Sequence, residues 1–459
     1  MKNNKIVVLL KYFKGELNPF DGAALECALD TGAEVTVLTM SPLSVLPHLQ
    51  GLTRLGVKAV LISDPVYAGS DTQATSFILA EAIKRLEPDL IFCGRQSVDG
   101  DTGQVPPMLS QRLRFAIKAK VMSIKGKEIT LRNGETYLLH DKTVVAFEKI
   151  RTLRFPSIFS KKGEVEVWDN NILGLPTEKC GQRGSQTKVI KSYESSVGRR
   201  TCQFVGAENL SRLIETGLEK QRVEQTQTAN EKLEKVYFVG TVRSVALGIA
   251  NVVSEIETQG KTVEQIAKET KGKTVLWEDG EENKIIASKV AVLTGAGLCA
   301  DCISFQVENG NLIMTRPALG GNVTADIVAT GDTVFATVRT AKKEGSNVIF
   351  SVGKGAVEYI DEIQEFAKKY GAEVCCSRVV ADSGKLPYQT QVGLTGKTVS
   401  PKVYVAFGIS GAVQHTCAIA GAGTVIAVNV DKQARIFDYA DYGIIMDIKD
   451  LIEGEKNVN

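Results

Sequence analysis

The sequence is poor in histidine and carries almost no surplus charge. Only three histidines occur among 459 residues, and the formal net charge is +2. A balance this close to neutral gives no support to nucleic-acid binding. No apolar run approaches the roughly 18 residues of a membrane-spanning helix. The basic start, "MKNNKIVVLL", is not followed by the small-residue cleavage site of a signal peptide. We therefore expect no nucleic-acid partner and no membrane span.

The cysteines argue against a disulfide framework. Their number is nine, which is odd, and they are scattered along the chain. This usage favours a reducing compartment, and we expect the protein to be cytoplasmic. Cys299 and Cys302 form a single C-x-x-C pair. Without a second pair it is weak evidence for a metal centre, so we expect a buried structural pair.

The chain is long enough for two to four domains, and its first part alternates strand and helix signals. Apolar runs at residues 5–10, 33–40, 57–63 and 89–94 predict strands, and residues 19–32 and 72–86 predict helices. This alternation predicts a parallel sheet with helices on both faces. Residues 121–150 then contain short strand signals around an Asn133-Gly134 turn, which predicts hairpins.

The last 115 or so residues alternate in the same way. "NVIFSVG", "AEVCCSRVV", "KVYVAFG", "TVIAVNV" and "YGIIMDI" predict strands. This is a doubly wound pattern, in which ligands bind beyond the carboxyl ends of the strands. An amphipathic helix is predicted within residues 207–220, and the polar, Gln-rich residues 221–235 are predicted to be a linker.

"FGISGAVQH" combines a strand end, a small-residue turn and a helix start. Free backbone N–H groups at such a helix start favour an anion such as phosphate, while a tight turn that needs glycine only for its geometry explains the pattern equally well. Taken alone, His415 favours a satisfied polar contact, and Arg378 favours a surface salt bridge.

Together these pieces resemble the FAD domain of the electron-transfer flavoprotein alpha subunit. The resemblance rests on "SRVVADSG", "QVGLTGKTVSPKVYVAFGISGAVQH", "VIAVNVD" and "ADYGIIMD" in this order. It implies that His415 lies beside the pyrimidine end of the flavin, that Arg378 lies over the ring, and that Thr395 lies near flavin N5. The remaining flavin contacts that it implies are Lys354, Ser377, Val392, Gly393, Leu394, Ser410, Gly411, Ala412, Val413, Gln414, Asn429 and Asp447. Lys354 departs from the family, which commonly has arginine there.

The first half resembles the beta subunit of the same family. The resemblance rests on "NPFDGAALECAL", "DLIFCGRQSVDGDTGQVPPMLSQRL" and "VEVWDNNILGLPTEKCGQRGSQTKVIKSY". It implies a natural beta–alpha fusion whose first half binds AMP or a second FAD. "DGDTGQV" is close to the variant with a second FAD, which belongs to NADH-using, electron-bifurcating members. The implied contacts are Asn18, Asp21, Gly94, Asp101, Thr102, Gly103, Gln104 and Val105.

The region around Ile158 resembles the loop with which the family docks on dehydrogenases. Ile158 is apolar and is flanked by Arg151, Arg154, Lys161 and Lys162. The alternative from the residues alone is a hairpin with a solvated basic rim.

The resemblance implies an α/β protein of several doubly wound domains, with an adenine-nucleotide-hydrolase-like first half and an FAD-binding C-terminal domain. We predict a beta-like domain over residues 1–225, a shortened alpha-like domain over 226–340 and an FAD domain over 341–459. The expected function is electron transfer between an acyl-CoA dehydrogenase-like flavoprotein and another acceptor such as ferredoxin or a quinone reductase, with or without NADH-driven bifurcation. The alternatives are a single-FAD, AMP-binding carrier and a nucleotide-binding module without redox activity.

Overall fold

A computed structural model describes residues 4–194, 198–219, 231–321, 323–339, 346–393 and 396–457. The contacts within the chain divide it into two compact units. The first unit comprises residues 1–192, 227–319 and 325–338, and the second comprises residues 193–226, 320–324 and 339–459. The three-domain division from the sequence stays a prediction.

The first 194 residues alternate strands and helices as expected. The strands are β1 (Lys5–Leu9), β2 (Tyr12–Phe13), β3 (Glu16–Leu17), β4 (Glu34–Met40), β5 (Lys58–Ile62), β6 (Leu90–Gly94), β7 (Ala116–Lys125), β8 (Glu128–Leu131), β9 (Thr136–Leu138), β10 (Thr143–Phe147), β11 (Val165–Trp168) and β12 (Thr187–Glu194). The helices are α1 (Pro19–Asp30), α2 (Leu46–Thr53), α3 (Thr72–Leu86), α4 (Val105–Leu113), α5 (Asn170–Leu173) and α6 (Gly181–Gly184).

The first sheet has the strand order β11-β5-β4-β1-β6-β10-β7-β8-β9. Its pairs are parallel from β11 to β7. The chain winds outward from β1 through β4 and β5, and then returns to the other side of β1 at β6. The carboxyl ends of β1 and β6 therefore flank a topological switch point, where doubly wound sheets bind ligands.

Alternating residues of β1 show why this sheet is covered on both faces. Ile6 and Val8 belong to one buried cluster together with Leu25 of α1. Val7 and Leu9 belong to the opposite cluster, which contains side chains of α3 and α4. Because successive side chains of a strand point to opposite faces, a continuous apolar run requires helices on both sides.

The hairpin prediction is confirmed. β7, β8 and β9 pair antiparallel in sequence order. The turn between β8 and β9 contains Gly134 at φ +90, a left-handed conformation that glycine adopts without strain.

Residues 231–339 contain a second parallel sheet. Their strands are β14 (Leu233–Val239), β15 (Ala250–Glu255), β16 (Thr274–Glu278), β17 (Gly297–Cys302), β18 (Ser304–Glu308), β19 (Asn311–Ala318), β20 (Val323–Ala329) and β21 (Val334–Val338), and their helices are α8 (Arg243–Ile249), α9 (Val263–Thr270) and α10 (Glu281–Thr294). The sheet order is β15-β14-β16-β21-β17. The region predicted to be shortened thus contains five parallel strands. Cys299 and Cys302 of β17 are both buried.

The second unit contains the other doubly wound sheet. Its elements are β13 (Gln203–Phe204), α7 (Leu210–Glu219), β22 (Val348–Val352), β23 (Glu373–Cys376), β24 (Val403–Phe407), β25 (Thr424–Asn429) and β26 (Tyr442–Ile445), with helices α11 (Ile360–Lys369), α12 (Arg378–Asp382), α13 (Val413–Thr416) and α14 (Ile448–Asn457). The order is β13-β26-β25-β24-β22-β23, and the pairs are parallel. The switch point lies between β22 and β24.

The segment before the predicted linker also belongs to this second unit. Residues 221–230 of that linker lie outside the described residues, and its last residues, 233–235, belong to β14 instead. β13 pairs with β26 at the edge of the sheet. The amphipathic helix α7 inserts Leu210, Leu213 and Ile214 into the cluster that contains Phe350 of β22. In the part of the chain that the structure describes, no helix has the length and apolarity needed to cross a bilayer. The predicted α/β class with doubly wound sheets is confirmed.

Candidate functional site

Three glycines bring the strand ends at the second unit's switch point into close backbone contact. The Gly353 N–H, just after β22, donates to the Phe407 carbonyl at 2.8 Å, and the Gly355 N–H donates to the Gly408 carbonyl at 3.1 Å. Gly408 follows β24 at φ +59, and a Cβ there would lie 2.6 Å from the Ala356 nitrogen. Position 408 therefore requires glycine for reasons of both space and conformation.

His415 lies just beyond this turn, in α13, and is buried. Its Nε2 lies 2.7 Å from the hydroxyl of Tyr404, a fully buried residue of β24. Its Nδ1 has no hydrogen-bond partner among the described residues. Burial lowers the pKa of His415 to about 4, against a smaller raising effect of the nearby Val392 backbone, so the ring is neutral near pH 7 and carries one N–H. The satisfied contact favoured by the sequence is present, but it occupies only one ring nitrogen.

Ser377 and Arg378 follow β23 on the other side of the switch point. Ser377 caps α12, yet its Oγ is buried without a hydrogen-bond partner among the residues described. Arg378 is half-buried, and its Nε lies 3.3 Å from Asp382 one helical turn later. The salt bridge considered from the sequence therefore exists. It is a partly exposed pair, which leaves the guanidinium near the strand end.

Val392 and Gly393 extend the same edge. The Val392 N–H donates to the carbonyl of Cys376 at 2.9 Å, which ties this loop to the end of β23. Both residues are buried. The predicted contacts Leu394 and Thr395 lie outside the described residues.

The turn after β24 also presents predicted contacts. Gly411 has φ +85, and a Cβ there would overlap the backbone at Ile436. Ser410, Ala412 and Gln414 are exposed, whereas Val413 is buried. The polar side chains of Ser410 and Gln414 therefore face the exposed side of the turn, and Val413 packs on its buried side.

Lys354, Asn429 and Asp447 lie at the ends of three strands. Lys354 follows β22 and is exposed. Asn429 donates to the Ile409 carbonyl at 3.0 Å, so its side chain holds the turn after β24. The Asp447 carboxylate accepts a hydrogen bond from the Lys449 N–H at the start of α14. These two polar side chains have structural partners of their own.

The residues at this edge fit the flavin that the sequence resemblance implies. A fixed neutral histidine, a half-buried guanidinium and two partnerless buried polar atoms, His415 Nδ1 and Ser377 Oγ, lie on the same sheet edge. Buried polar atoms are rarely left without partners, so such atoms at a switch point indicate a polar ligand. In a bound flavin, the ring would accept and release electrons. His415 would hold it by donation, and Ser377 and the turn amides would hold the phosphates.

A second candidate site lies at the switch point of the first unit. We call it the first-unit cradle, and we call the site around Gly408 and His415 the second-unit cradle. Asp21 near the start of α1 is buried, and its carboxylate accepts from the Lys11 N–H at 2.8 Å and the Gly94 N–H at 2.9 Å. A Cβ at Gly94 would lie 2.6 Å from Phe20 Cβ. Burial raises the pKa of Asp21 to about 7, in opposition to its hydrogen bonds. Asp21 therefore links β1, α1 and β6.

Asn18 shares this cradle but retains a partnerless atom. Its amide donates to the Gln96 carbonyl at 2.9 Å, while its Oδ1 is buried without a hydrogen-bond partner among the described residues. The structure thus brings Asn18, Asp21 and Gly94 together, as the resemblance implies.

The loop between β6 and α4 carries the other predicted contacts. Asp101 and Gly103 have positive φ values, +51 and +63, so the loop turns sharply before Val105 begins α4. Thr102 is half-buried. The Gln104 side chain accepts from Thr72 at 2.7 Å and donates to the Leu298 carbonyl at 3.1 Å. The two hydrogen bonds of Gln104 therefore hold the loop against Thr72 and Leu298, whereas the side chain of Thr102 stays partly exposed.

The sequence reasoning missed Arg316 of β19, which reaches this loop. Arg316 is buried, and its Nη1 donates to the Gly100 carbonyl at 2.6 Å. Its Nε and Nη2 have no hydrogen-bond partner in the described ranges. A buried charge with free donors is costly unless an anion or polar ligand meets it. The available signal was an arginine inside the apolar strand pattern "NLIMTRPA".

The loop around Ile158 exposes three large apolar side chains. Ile158 is 83% exposed, and Phe155 and Phe159 are 95% and 87% exposed. The sequence analysis identified Ile158 and missed both phenylalanines. Contiguous exposed apolar groups of this size are unusual on a protein surface.

The basic residues beside this loop differ from the expected solvated rim. Arg154 donates to Glu26 of α1 through Nη2 at 2.7 Å, and it also pairs with Asp30. Arg151 pairs with Asp30 as well. These two arginines therefore hold the loop against α1, while Lys161 and Lys162 are exposed.

Two family models match the chain. The electron transfer flavoprotein domain matches residues 6–136 and 219–364. The electron transfer flavoprotein FAD-binding domain matches residues 344–420, which include β22, β24 and His415. The switch-point site of the second unit, with Gly408 and His415, therefore lies within a region that matches an FAD-binding domain.

The chain is also similar to curated alpha subunits. It is 33% identical over 249 residues to the electron transfer flavoprotein subunit alpha of Thermoanaerobacterium thermosaccharolyticum, covering 44% of this chain and 76% of that protein. It is 34% identical over 212 residues to the same subunit of Mycobacterium tuberculosis, covering 37% and 65%. It is 31% identical over 254 residues to the lactate dehydrogenase (NAD(+),ferredoxin) subunit LctC of Acetobacterium woodii, covering 44% and 61%. The chain thus spans less than two thirds of the last two relatives.

The domain model alone matches more than half of the chain, and the switch-point geometry agrees with it. This protein belongs to the electron transfer flavoprotein family, and its C-terminal region is of the alpha-subunit, FAD-binding type.

Proposed function

We propose that this chain is a natural beta–alpha fusion that carries electrons on FAD bound to its second unit. The observation that carries the proposal is the pair of cradles: each lies at a switch point and contains buried polar atoms without partners among the described residues. Further support is that one family domain matches both halves of the chain. An alpha subunit alone would require only one such half.

In the second unit, the chain's own groups would control the flavin by charge and donation. The Arg378 guanidinium favours electron-rich states of a nearby ring, because a positive charge lowers the energy of a developing negative one. His415 adds an N–H donor without a formal charge, since burial keeps its pKa near 4. The buried setting strengthens both interactions relative to water.

In the first unit, we propose a second adenine nucleotide. The spare donors of Arg316 suit a phosphate or a flavin carbonyl, and the positive φ of Gly103 turns the loop sharply near the contact of Arg316 with Gly100. "DGDTGQV" favours FAD over AMP. The name of the Acetobacterium relative contains NAD(+) and ferredoxin, which favours NADH-driven bifurcation with ferredoxin as acceptor. An AMP-binding, single-FAD carrier is the alternative.

For partner recognition, we propose that Phe155, Ile158 and Phe159 dock on an acyl-CoA dehydrogenase-like flavoprotein. The ion pairs of Arg151 and Arg154 hold the loop before binding, which reduces the ordering cost of association. Apolar anchors of this kind are typical hot spots of an interface. Electrons would then pass to the acceptor, ferredoxin or a quinone reductase.

The test is a count of bound nucleotides. Purified protein is denatured, and released FAD and AMP are quantified per chain. Two FAD support the bifurcating form, and one FAD with one AMP supports the simple carrier. A protein without flavin, before and after incubation with FAD, contradicts electron carriage and favours a nucleotide-binding module without redox activity.

Variants assign each nucleotide to its cradle. Arg316→Met should lose nucleotide from the first unit and keep one FAD. A conservative Arg316→Lys control retains the charge but lacks the guanidinium fork. If Arg316→Met retains both nucleotides at wild-type affinity, the first-unit site is wrongly placed.

A further inference from the structure

Tyr404 places a hydroxyl group where an apolar side chain would suffice. It is fully buried near the start of β24 and belongs to the apolar cluster that contains Ile349, Val425 and Ile436. Burying a hydroxyl costs free energy unless it forms a hydrogen bond. Its 2.7 Å contact with His415 Nε2 meets this requirement. The contact joins the centre of the sheet to the cradle.

The contact also bears on the protonation of His415. Burial raises the pKa of Tyr404 well above its usual value, so the hydroxyl keeps its proton. Burial lowers the pKa of His415 to about 4, so the ring carries one N–H near neutral pH. A Tyr404 hydroxyl that donates to Nε2 leaves that hydrogen on Nδ1. Nδ1 is the buried nitrogen that has no partner among the described residues.

We propose that Tyr404 is a positioning residue: its hydroxyl donates to His415 Nε2, fixes the ring, and keeps Nδ1–H available as a donor to the bound flavin. This inference rests on the proposed function of the second unit. It follows the general rule that the partner of one imidazole nitrogen determines what the other can do. In the opposite arrangement Nε2 carries the hydrogen, and Nδ1 would repel the growing negative charge of a reduced ring.

The first experiment reads the tautomer directly. The chain has only three histidines, His48, His140 and His415, so ¹⁵N-histidine labelling gives a spectrum that single substitutions can assign. We expect His415 to be neutral and protonated at Nδ1 at pH 7, and to become a mixture of tautomers in Tyr404→Phe. Protonation of His415 at Nε2 in the wild type would overturn the proposal.

The second experiment measures the flavin's midpoint potential. Tyr404→Phe should weaken the preference for reduced over oxidised flavin by about two- to tenfold, as for one lost hydrogen bond. The potential becomes more negative by the corresponding amount. Tyr439→Phe is the matched control, because Tyr439 is a buried tyrosine of the same unit outside the Tyr404–His415 pair. We expect it to leave the potential unchanged.

A double variant separates positioning from packing. In a His415→Asn background, Tyr404→Phe should cause no further change in potential, because the group it acts through is absent. An equal change in both backgrounds, or no change in either, contradicts the inference. A protein that binds no flavin contradicts the proposed function instead, and the tautomer measurement then still decides the Tyr404–His415 contact. If Tyr404→Phe does not fold, the wild-type tautomer is decisive.

Discussion

Gly408→Ala is the sharpest test of the cradle, because Gly408 is constrained in two ways. Its φ of +59 is a left-handed conformation, which costs a residue with a Cβ about 1–2 kcal/mol. In addition, the new Cβ would lie 2.6 Å from both the Ala356 nitrogen and the Gly355 carbonyl carbon. These are backbone atoms, so relief requires the β22 and β24 turns to separate.

Overpacking of this kind adds about 1–3 kcal/mol. The expected total for Gly408→Ala is therefore about 2–5 kcal/mol of unfolding free energy in the second unit. Gly371→Ala is the matched control. Gly371 has φ +57 in the same unit, and a Cβ there meets nothing within 4 Å. It should cost only the conformational part, about 1–2 kcal/mol.

The assay must report on each unit separately, since a chain of several domains need not unfold in one step. Urea-induced release of flavin and hydrogen exchange of β22 and β24 follow the second unit. Tryptophan fluorescence follows the first, because both tryptophans, Trp168 and Trp277, lie there. We expect Gly408→Ala to lower the affinity for FAD and to speed exchange, with the tryptophan transition unchanged. Equal effects of Gly408→Ala and Gly371→Ala would refute the steric argument.

Three further predictions concern docking, charge and pH. Ile158→Ala should raise the half-saturation of dehydrogenase-linked turnover by an amount worth a few kcal/mol at most, while the exposed control Leu43→Ala leaves it unchanged; flavin loss in Ile158→Ala would instead indicate a structural role. Arg378→Ala should make the flavin potential more negative by removing a positive charge beside the ring, and an unchanged potential in spectroelectrochemical titration would contradict its ring-facing role. Burial raises the pKa of Asp21 from 3.8 to about 7, so ionisation of its carboxyl group costs the folded state more free energy than the unfolded state, and stability falls as pH rises between these two values. Asp21→Asn should flatten the dependence of unfolding free energy on pH in this range, and an unchanged dependence would argue against the shift.

The local pattern of apolar and polar residues was sufficient to predict many of the helices and strands. The helix predicted over residues 72–86 is α3 (Thr72–Leu86), because its apolar periodicity and its Asp71 cap agree. The continuous apolar strands predicted two-faced sheets, because only helices on both sides can bury such runs. In the second unit, by contrast, the chain after β22 first forms a 3₁₀ segment, Lys354–Tyr359, and α11 begins only at Ile360. Gly355 packs closely on Gly408 there, which favours the tighter winding of a 3₁₀ helix over an α-helix at the start of this segment.

The sequence by itself determined the class of fold and the positions of both glycine turns, because these depend on spacing along the chain. Only the tertiary structure decided which of the predicted site residues have partners already. It placed Tyr404 against His415, Arg316 against Gly100, and Arg154 against Glu26. Each of these contacts joins two separate secondary-structure elements or loops. The burial of the contacting side chains then determines their charge and protonation. Spacing along a chain carries no information about burial of that kind, because it arises only when separate elements pack together.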